Sequence, residues 1–174
     1  MGSFERVVLP YLDAAYNLAR WLTRDDQDAQ DVVQEAMLRA YRYFGSLKDT
    51  DARAWLLAIV RNTCYTWLAK NRPGETLSLD EGMMADLEAA GWSAPEANPE
   101  VIVLASAQRK LVAQSLEELP VTYREVLVLR ELEDLSYKDI ARIAGVPMGT
   151  VMSRLARGRE MLRRTLETRM KKAS

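Results

Sequence analysis

Residues 136–164 read SYKDIARIAGVPMGTVMSRLARGREMLRR, and they decide the fold of the C-terminal half of the chain. Ser136 followed three residues later by Asp139 is the pattern of a capped helix start, so a helix is predicted directly after Ser136. This helix should be short, because Gly145 can adopt the left-handed conformation that ends a helix and Pro147 blocks its continuation. A second helix is predicted to follow this proline. Two helices joined by a short turn that contains a glycine form a helix-turn-helix.

The second of these helices carries an apolar face and a basic face. At about 100° per residue, its apolar stripe consists of Val151, Leu155, Gly158 and Leu162. The opposite face consists of Thr150, Ser153, Arg157 and Arg164, with Arg154 beside them. Arginine can bond guanine through two hydrogen bonds, and Ser or Thr can bond base edges or phosphates. The pattern is typical of a helix that enters the major groove of DNA; the alternative is a basic face that is merely solvated.

The N-terminal part predicts three further helices from the spacing of its apolar residues. The first covers about 3–22, the second runs from a break at 23–27 to about Phe44, and the third extends from about Asp51 to the residue before Pro73. The second helix is amphipathic. Its expected buried stripe is Val33, Met37, Ala40, Tyr41 and Phe44. Its polar face offers Asp28, Asp31, Gln34, Glu35, Arg39 and Arg42.

These elements predict an all-α fold of two small helical domains joined by a flexible linker. Helices at about 100–118 and 120–132 precede the helix-turn-helix, because Pro120 ends the first of them and is tolerated at the start of the second. The N-terminal domain, the linker and the C-terminal domain are expected at 1–72, 73–99 and 100–174.

The net charge of −1 hides a strong segregation of charge along the chain. Residues 1–72 hold 10 basic and 9 acidic side chains, residues 73–108 hold seven acidic and no basic ones, and residues 109–174 hold 14 basic and 9 acidic ones. The N-terminal part is nearly neutral and the C-terminal part is basic, so both can approach a polyanion, and an acidic segment separates them. This distribution of charge suits a protein that binds nucleic acid.

The composition also excludes several chemistries. The chain has no His and a single cysteine, Cys64, so nucleophile systems that need histidine, histidine-ligated zinc and thiolate clusters are ruled out within it. No Gly-rich phosphate-binding loop is present. We therefore expect no catalytic group, metal or cofactor. No apolar run approaches the ~20 residues of a membrane span and no signal peptide is recognisable, so a cytoplasmic protein is expected. Cys64 is interpreted as a buried structural thiol, with a redox sensor as the alternative.

Two independent sets of motifs resemble one known family. LSYKDIARIAGVPMGTVMSRLARGREMLRR and the preceding ELPVTYREVLVLRELEDLSY resemble the region of extracytoplasmic-function (ECF) sigma factors that binds the −35 promoter element. DAQDVVQEAMLRAYR (28–42) and RAWLLAIVRNTCYTWLAKNR (53–72) resemble the other sigma domain. The resemblance implies an alternative bacterial sigma factor that binds core RNA polymerase and directs it to the −35 and −10 elements, and that carries no catalytic group of its own.

The resemblance also implies roles for individual residues. The residues that match the polymerase-docking region are Asp28, Asp31, Gln34 and Glu35. Those that match the part recognising and melting the −10 element are Ser46, Lys48, Asp49, Arg53, Arg61, Asn62, Tyr65, Lys70 and Arg72. Trp55 and Trp67 are interpreted as core residues rather than as stacking platforms for bases. In the helix-turn-helix, the −35 contacts are expected at Thr150, Met152, Ser153, Arg154, Ala156 and Arg157.

The expected partners are core RNA polymerase, promoter DNA (duplex at −35, single-stranded at −10) and an anti-sigma factor, which in this family is often membrane-bound and could hold the chain at the inner membrane. The acidic linker either threads into the basic channels of the polymerase or is a solvated tether. The alternative function is a stand-alone helix-turn-helix regulator that binds DNA as a dimer, which would leave the N-terminal domain without a role. An enzyme on a helical scaffold is the least favoured hypothesis.

Overall fold

The computed structural model describes residues 2–47, 51–75 and 106–173. Within these ranges the chain forms helices and turns and contains no strand, which confirms the all-α prediction. From residue 76 onward the predicted linker lies outside the described residues, as do the first residues of the helix expected at about 100–118. The same holds for Lys48 and Asp49 of the predicted base-capturing loop.

The N-terminal domain consists of α1 (Ser3–Val8), α2 (Leu12–Thr23), α3 (Asp26–Arg42) and α4 (Ala52–Asn71). The single helix expected over 3–22 is divided into two, because Pro10 lies in a 3₁₀ turn at Leu9–Tyr11. Proline has no N–H to donate, and this favours the interruption.

The junctions between these helices use the local signals of the sequence. Arg24 adopts a left-handed conformation with φ 60° and ends α2. The carboxylate of Asp25 then accepts a hydrogen bond from the N–H of Asp28 at 2.9 Å, which caps α3. Asp51 caps α4 in the same manner, since it accepts from the N–H of Arg53 at 3.0 Å.

The core of the N-terminal domain lies between α2, α3 and α4. Its fully buried residues include Leu18, Leu22, Val32, Ala36, Leu56 and Val60. Trp55 and Trp67 pack against this core, partly buried, in agreement with their interpretation as core residues. The expected burial of Tyr41 is wrong: it is 67% exposed and packs in an edge-to-face arrangement with Phe4. Because consecutive residues of a helix are rotated by about 100°, the full burial of Ala40 turns Tyr41 toward the margin of the apolar stripe.

The C-terminal domain consists of α5 (Ser106–Glu117), α6 (Val121–Leu127), a π-helical turn at Val128–Leu132, α7 (Tyr137–Ala144) and α8 (Met148–Ala173). The predicted helix-turn-helix is confirmed in its local detail. Ser136 Oγ accepts from the N–H of Asp139 at 3.1 Å, and Gly145 ends α7 with φ 70°. Gly158 lets α8 approach α6 closely, because a Cβ at this position would lie 3.2 Å from Leu127 Cδ1.

The two domains pack against each other. α2 contacts α6, and α4 contacts α7, the first helix of the helix-turn-helix. Buried apolar residues of both domains belong to one continuous cluster. We call this the closed arrangement, and it brings charged residues far apart in the sequence into contact.

Candidate nucleic-acid interface

The polar face of α3 is open to solvent along most of its length. Asp31, Gln34 and Glu35 are exposed. Asp31 accepts a hydrogen bond from Gln27 at 3.1 Å, and Glu35 forms an ion pair with Arg39 at 3.0 Å. Exposed pairs of this kind contribute roughly 0–1 kcal/mol, so a partner can replace them at little cost.

Asp28 differs from the other three residues of the predicted docking set because it forms a half-buried ion pair within the N-terminal domain. Its carboxylate lies 3.0 Å from Arg72 Nη2, at the C-terminal end of α4, and both side chains are half-buried. Arg72 also lies over the ring of Trp67 at 5.1 Å. The structure thus joins one residue predicted to dock the polymerase to one predicted to contact the −10 element.

A groove of about 630 Å³ adjoins the exposed face of α3. It lies between α2 and α3, and its walls include Leu12, Tyr16, Val33 and Gln34. Gln34 belongs to both the groove and the predicted docking set.

Arg53 and Arg61 of α4 have a different environment, because the C-terminal domain contacts them. Glu125 of α6 is completely buried. Its Oε1 lies 2.5 Å from Arg61 Nε, and its Oε2 accepts a hydrogen bond from the Tyr65 hydroxyl at 2.8 Å. The Arg61 guanidinium also lies 3.7 Å from the centre of the Tyr65 ring. Both oxygens of this buried carboxylate are therefore satisfied by residues of the other domain.

Arg53, at the start of α4, is held by Glu133 at the end of the π-helical turn. Its Nη2 lies 3.0 Å from Glu133 Oε2 and also donates to the Glu133 carbonyl. Three of the predicted −10 contacts, Arg53, Arg61 and Tyr65, thus contact C-terminal acids. By contrast, Asn62, Lys70 and Ser46 are exposed.

The ionisation of the residues around Glu125 follows from this burial. The pKa of Tyr65 is raised well above its usual value, first by burial and then by the negative charge of Glu125. Burial opposes the charge of Arg61, but attraction and hydrogen bonding to Glu125 outweigh it and raise the pKa of Arg61. Burial, and then Glu125, also raise the pKa of the Cys64 thiol. Cys64 is therefore protonated at neutral pH, and the structure favours the structural thiol over the redox sensor.

Arg124, the residue before Glu125 in α6, forms hydrogen bonds with the N-terminal domain. Arg124 is 1% exposed. It donates from Nε to the carbonyl of Trp21 at 2.7 Å and from Nη2 to the carbonyl of Leu22 at 3.1 Å. These carbonyls lie at the C-terminal end of α2, where the helix leaves acceptors unpaired and favours a positive charge. Arg124 thus caps a helix of the other domain.

The residues predicted to contact the −35 element have unequal exposure. Met152 is 44% exposed, whereas Thr150, Ser153 and Arg157 are half-buried. Ser153 Oγ donates to the carbonyl of Gly149 at 2.9 Å. Arg154 and Ala156 are buried in the closed arrangement. The positive charge of Arg154 opposes the rise in the pKa of Tyr65.

The interdomain contact was not foreseen from the sequence, although one signal could have indicated it. The stretch VTYREVLVL (121–129) is apolar on all sides except for Thr122 and the two charged residues Arg124 and Glu125. A helix that is apolar all round is buried, and charges within such a helix need partners. What the stretch does not reveal is that the partners are Trp21, Leu22 and Arg61 of the other domain.

The described residues hold no group of side chains able to bind a metal ion. None of the helices in the described ranges combines the length and the hydropathy that crossing a bilayer requires.

Comparison with known proteins identifies both domains. A model of sigma-70 region 2 matches residues 7–73, and a model of sigma-70 region 4 matches residues 109–162. The ECF RNA polymerase sigma-E factor of Escherichia coli strain K12 is 38% identical over 137 residues, which cover 78% of this chain and 72% of the relative. The RNA polymerase sigma-H factor of Pseudomonas aeruginosa is 34% identical over 98% of this chain and 90% of the relative.

Solved structures give the same result. The sigma factor RpoE of Bartonella quintana, in complex with the anti-sigma factor NepR, matches with a TM-score of 0.71 and 25% identity over 96% of this chain and 98% of that one. CnrH, in complex with the cytosolic domain of CnrY, matches with a TM-score of 0.64 and 25% identity over 95% of this chain and 88% of that one. The predicted resemblance is therefore confirmed, and nothing favours a stand-alone regulator. The chain belongs to the ECF family of RNA polymerase sigma factors.

Proposed function

We propose that this chain binds core RNA polymerase through α3 and binds promoter DNA through two separate surfaces. The observation that supports this most directly is the combination of a helix-turn-helix at α7–α8 with a second helical domain that exposes an acidic face. A stand-alone regulator needs the first feature and has no use for the second. In this proposal the polymerase performs the chemistry, and the chain contributes no catalytic group.

The proposed polymerase-docking surface consists of Asp28, Asp31, Gln34 and Glu35. Three of these are exposed, and the weak surface pairs around them can be exchanged for contacts with basic residues of the polymerase. The groove beside Gln34 extends the surface with apolar area.

The proposed −10 surface lies along α4 and the loop before it. Its cations suit the backbone of single-stranded DNA, and Tyr65 could stack on a base. The proposed members are Ser46, Lys48, Asp49, Arg53, Arg61, Asn62, Tyr65, Lys70 and Arg72. Of these, Arg53, Arg61 and Tyr65 are engaged by C-terminal acids in the closed arrangement, so their use on DNA requires the C-terminal domain to leave α4.

The proposed −35 surface is the N-terminal half of α8, where Thr150, Met152, Ser153 and Arg157 are wholly or partly accessible. Arg154 and Ala156 complete the set, but both are buried in the closed arrangement. Contacts of these two residues with DNA therefore require a rearrangement around them. Phosphate contacts release counterions, so we expect affinity for duplex DNA to fall steeply with salt.

An anti-sigma partner is part of this proposal, because the matching structure of RpoE from Bartonella quintana contains that sigma factor bound to the anti-sigma factor NepR. A membrane-bound partner would hold the chain at the inner membrane. Otherwise we place the chain in the cytoplasm, where core polymerase and promoters are found.

The proposal for the acidic segment 73–108, which includes the linker, is that its seven acids thread into basic channels of the polymerase. Neutralising these acids should change the ratio of abortive to full-length transcripts. An unchanged ratio would support the solvated tether instead.

Run-off transcription on a genomic library, with core polymerase and this protein, tests the function as a whole. Discrete transcripts that require the protein are expected, and their start sites would report the −35 and −10 sequences. Core polymerase that neither binds the protein nor gains new transcripts would contradict the proposal.

A further inference from the structure

Two methionines lie on the outer surface of the first turns of α8. Met148 and Met152 are each 44% exposed, and residues four positions apart are neighbours on the surface of a helix. Neither belongs to the hydrophobic core of the described residues, whereas Val151 and Leu155 of the same turns are buried in it. Met152 also belongs to the proposed −35 surface, so its apolar side chain lies where a base edge is expected.

The residues that flank Met152 along the helix are small. Gly149 lies three positions before it, and Ala156 lies four positions after it. Within the described part of the chain, a Cβ on Gly149 would have no neighbour within 4 Å outside the adjoining helix backbone, and Gly149 does not adopt a left-handed conformation. Glycine is less favourable than alanine in a helix. Neither packing nor backbone geometry therefore requires glycine here, and its effect is to leave the surface beside Met152 open to another molecule.

The polar neighbours of Met152 retain groups that can bind DNA. The Ser153 hydroxyl donates to the carbonyl of Gly149 at 2.9 Å, so its oxygen is still able to accept a hydrogen bond. The Nε of Arg157 is buried and lacks a hydrogen-bond partner among the described residues. A buried donor without a partner is unfavourable, and an acceptor on a base edge would satisfy it. This surface of α8 thus combines an acceptor, a donor and the apolar side chain of Met152.

From this arrangement we infer that Met152 recognises a thymine of the −35 element by contact with the 5-methyl group of the base. The inference rests on the proposed function, because α8 meets the −35 element only in that proposal. A thioether cannot donate a hydrogen bond, and it is apolar and flexible enough to follow the shape of its neighbour. Among the four bases, thymine alone presents a methyl group in the major groove. Met152 therefore selects thymine through this methyl group, while Ser153 and Arg157 bind polar groups.

The test uses core polymerase in complex with this protein and a promoter identified by run-off transcription. Each thymine of the −35 element, on both strands, is replaced in turn by uracil, which lacks only the 5-methyl group. Fluorescence anisotropy of the labelled promoter gives the affinity, at low temperature to limit melting of the −10 region. We expect one substitution to weaken binding about fourfold, which corresponds to the loss of one buried methyl group.

Two variants of Met152 assign this effect to its side chain. Met152→Ala should bind the unmodified promoter more weakly, and the same uracil substitution should then have no further effect, because the methyl group has already lost its contact. Met152→Leu keeps an apolar side chain and should retain the fourfold effect of uracil. Both variants are expected to fold, since the substituted residue is exposed.

The matched control is Met170→Ala. Met170 is 53% exposed on the C-terminal part of the same helix, outside the proposed −35 surface. This control removes an equivalent side chain, so it should bind the unmodified promoter as tightly as the wild type and retain the fourfold effect of uracil.

The outcomes separate this inference from the proposed function. If promoter-specific transcripts appear but no uracil substitution weakens binding, or the substitution weakens the wild type and Met152→Ala equally, only the role of Met152 is wrong. A −35 element without an A·T pair would have the same consequence. If no transcripts appear, the proposed function is wrong and the inference fails with it.

Discussion

The polar faces of α3 and α4 belong to one small domain, yet they meet opposite surroundings. The acids of α3 face solvent and form weak local pairs such as Glu35 with Arg39. Arg53 and Arg61 of α4 face the other domain, where Arg61 binds a completely buried carboxylate. The charge of a residue and its position on a helix therefore do not determine whether a polar face is accessible to a partner. Only the packing of the second domain decides this.

The largest effect on the packing that produces this contrast is expected when Arg124, which caps α2 from the other domain, is removed. Arg124→Met should lower the free energy of unfolding by about 2–3 kcal/mol, because buried hydrogen bonds from a charged group are lost. Thermal and urea unfolding would measure it. Arg142→Met, at an exposed position of α7, is the control and should have little effect. Equal, small effects of the two substitutions would show that the domains do not depend on Arg124.

A smaller effect is expected from Tyr65→Phe, which removes one hydrogen bond to Glu125. At neutral pH the free energy of unfolding should fall by about 1 kcal/mol. Because the pKa of Tyr65 is raised in the folded chain, the wild type loses stability as the pH rises above the ordinary tyrosine value of 10.0. Below that value the contribution is fully present.

Urea unfolding as a function of pH checks this sign. Cys64, whose pKa is also raised, adds a loss above the ordinary cysteine value in both proteins, so the quantity to compare is the difference between them. That difference should shrink as the pH rises past 10.0. A difference that stays constant would mean that Tyr65 is not held in its neutral form by the contact.

The smallest effect on stability is expected on α3. Asp31→Ala/Glu35→Ala should change the free energy of unfolding by less than about 0.5 kcal/mol per site, since both residues are exposed. Binding to core polymerase should nevertheless fall several-fold, measured by copurification or surface plasmon resonance. Glu5→Ala, an acid on α1 of the same domain, serves as the control. Unchanged polymerase binding by the α3 variant would remove this face from the proposed docking surface.

Much of the fold could be predicted because its signals are local. Ser136 and Gly145 act on neighbouring backbone groups, and the structure gives them the conformations that the sequence indicated. The errors arose where a local signal was overlooked or the limit of an apolar stripe was misjudged. Pro10 divides the first helix, and Tyr41 lies outside the core.

The candidate surfaces were predictable to a lesser degree. The polar face of α3 could be foreseen, because helical periodicity separates it from the core, and its exposure agrees with this. The environment of the α4 cations could not. Glu125 and Arg61 are separated by 64 residues, and no periodicity within either helix relates them.

The sequence by itself determined the helices, their caps, the glycine turn of the helix-turn-helix and the family, because each of these depends on residues within a few turns of one another or on motifs that are continuous in the chain. Only the tertiary structure decided that α7 packs on α4, that Arg124 caps α2, and that Glu125 and Glu133 cover cations proposed for DNA. The physical reason is that burial and the pairing of charges depend on distances in space. A buried carboxylate requires a partner, but it does not specify where along the chain that partner lies.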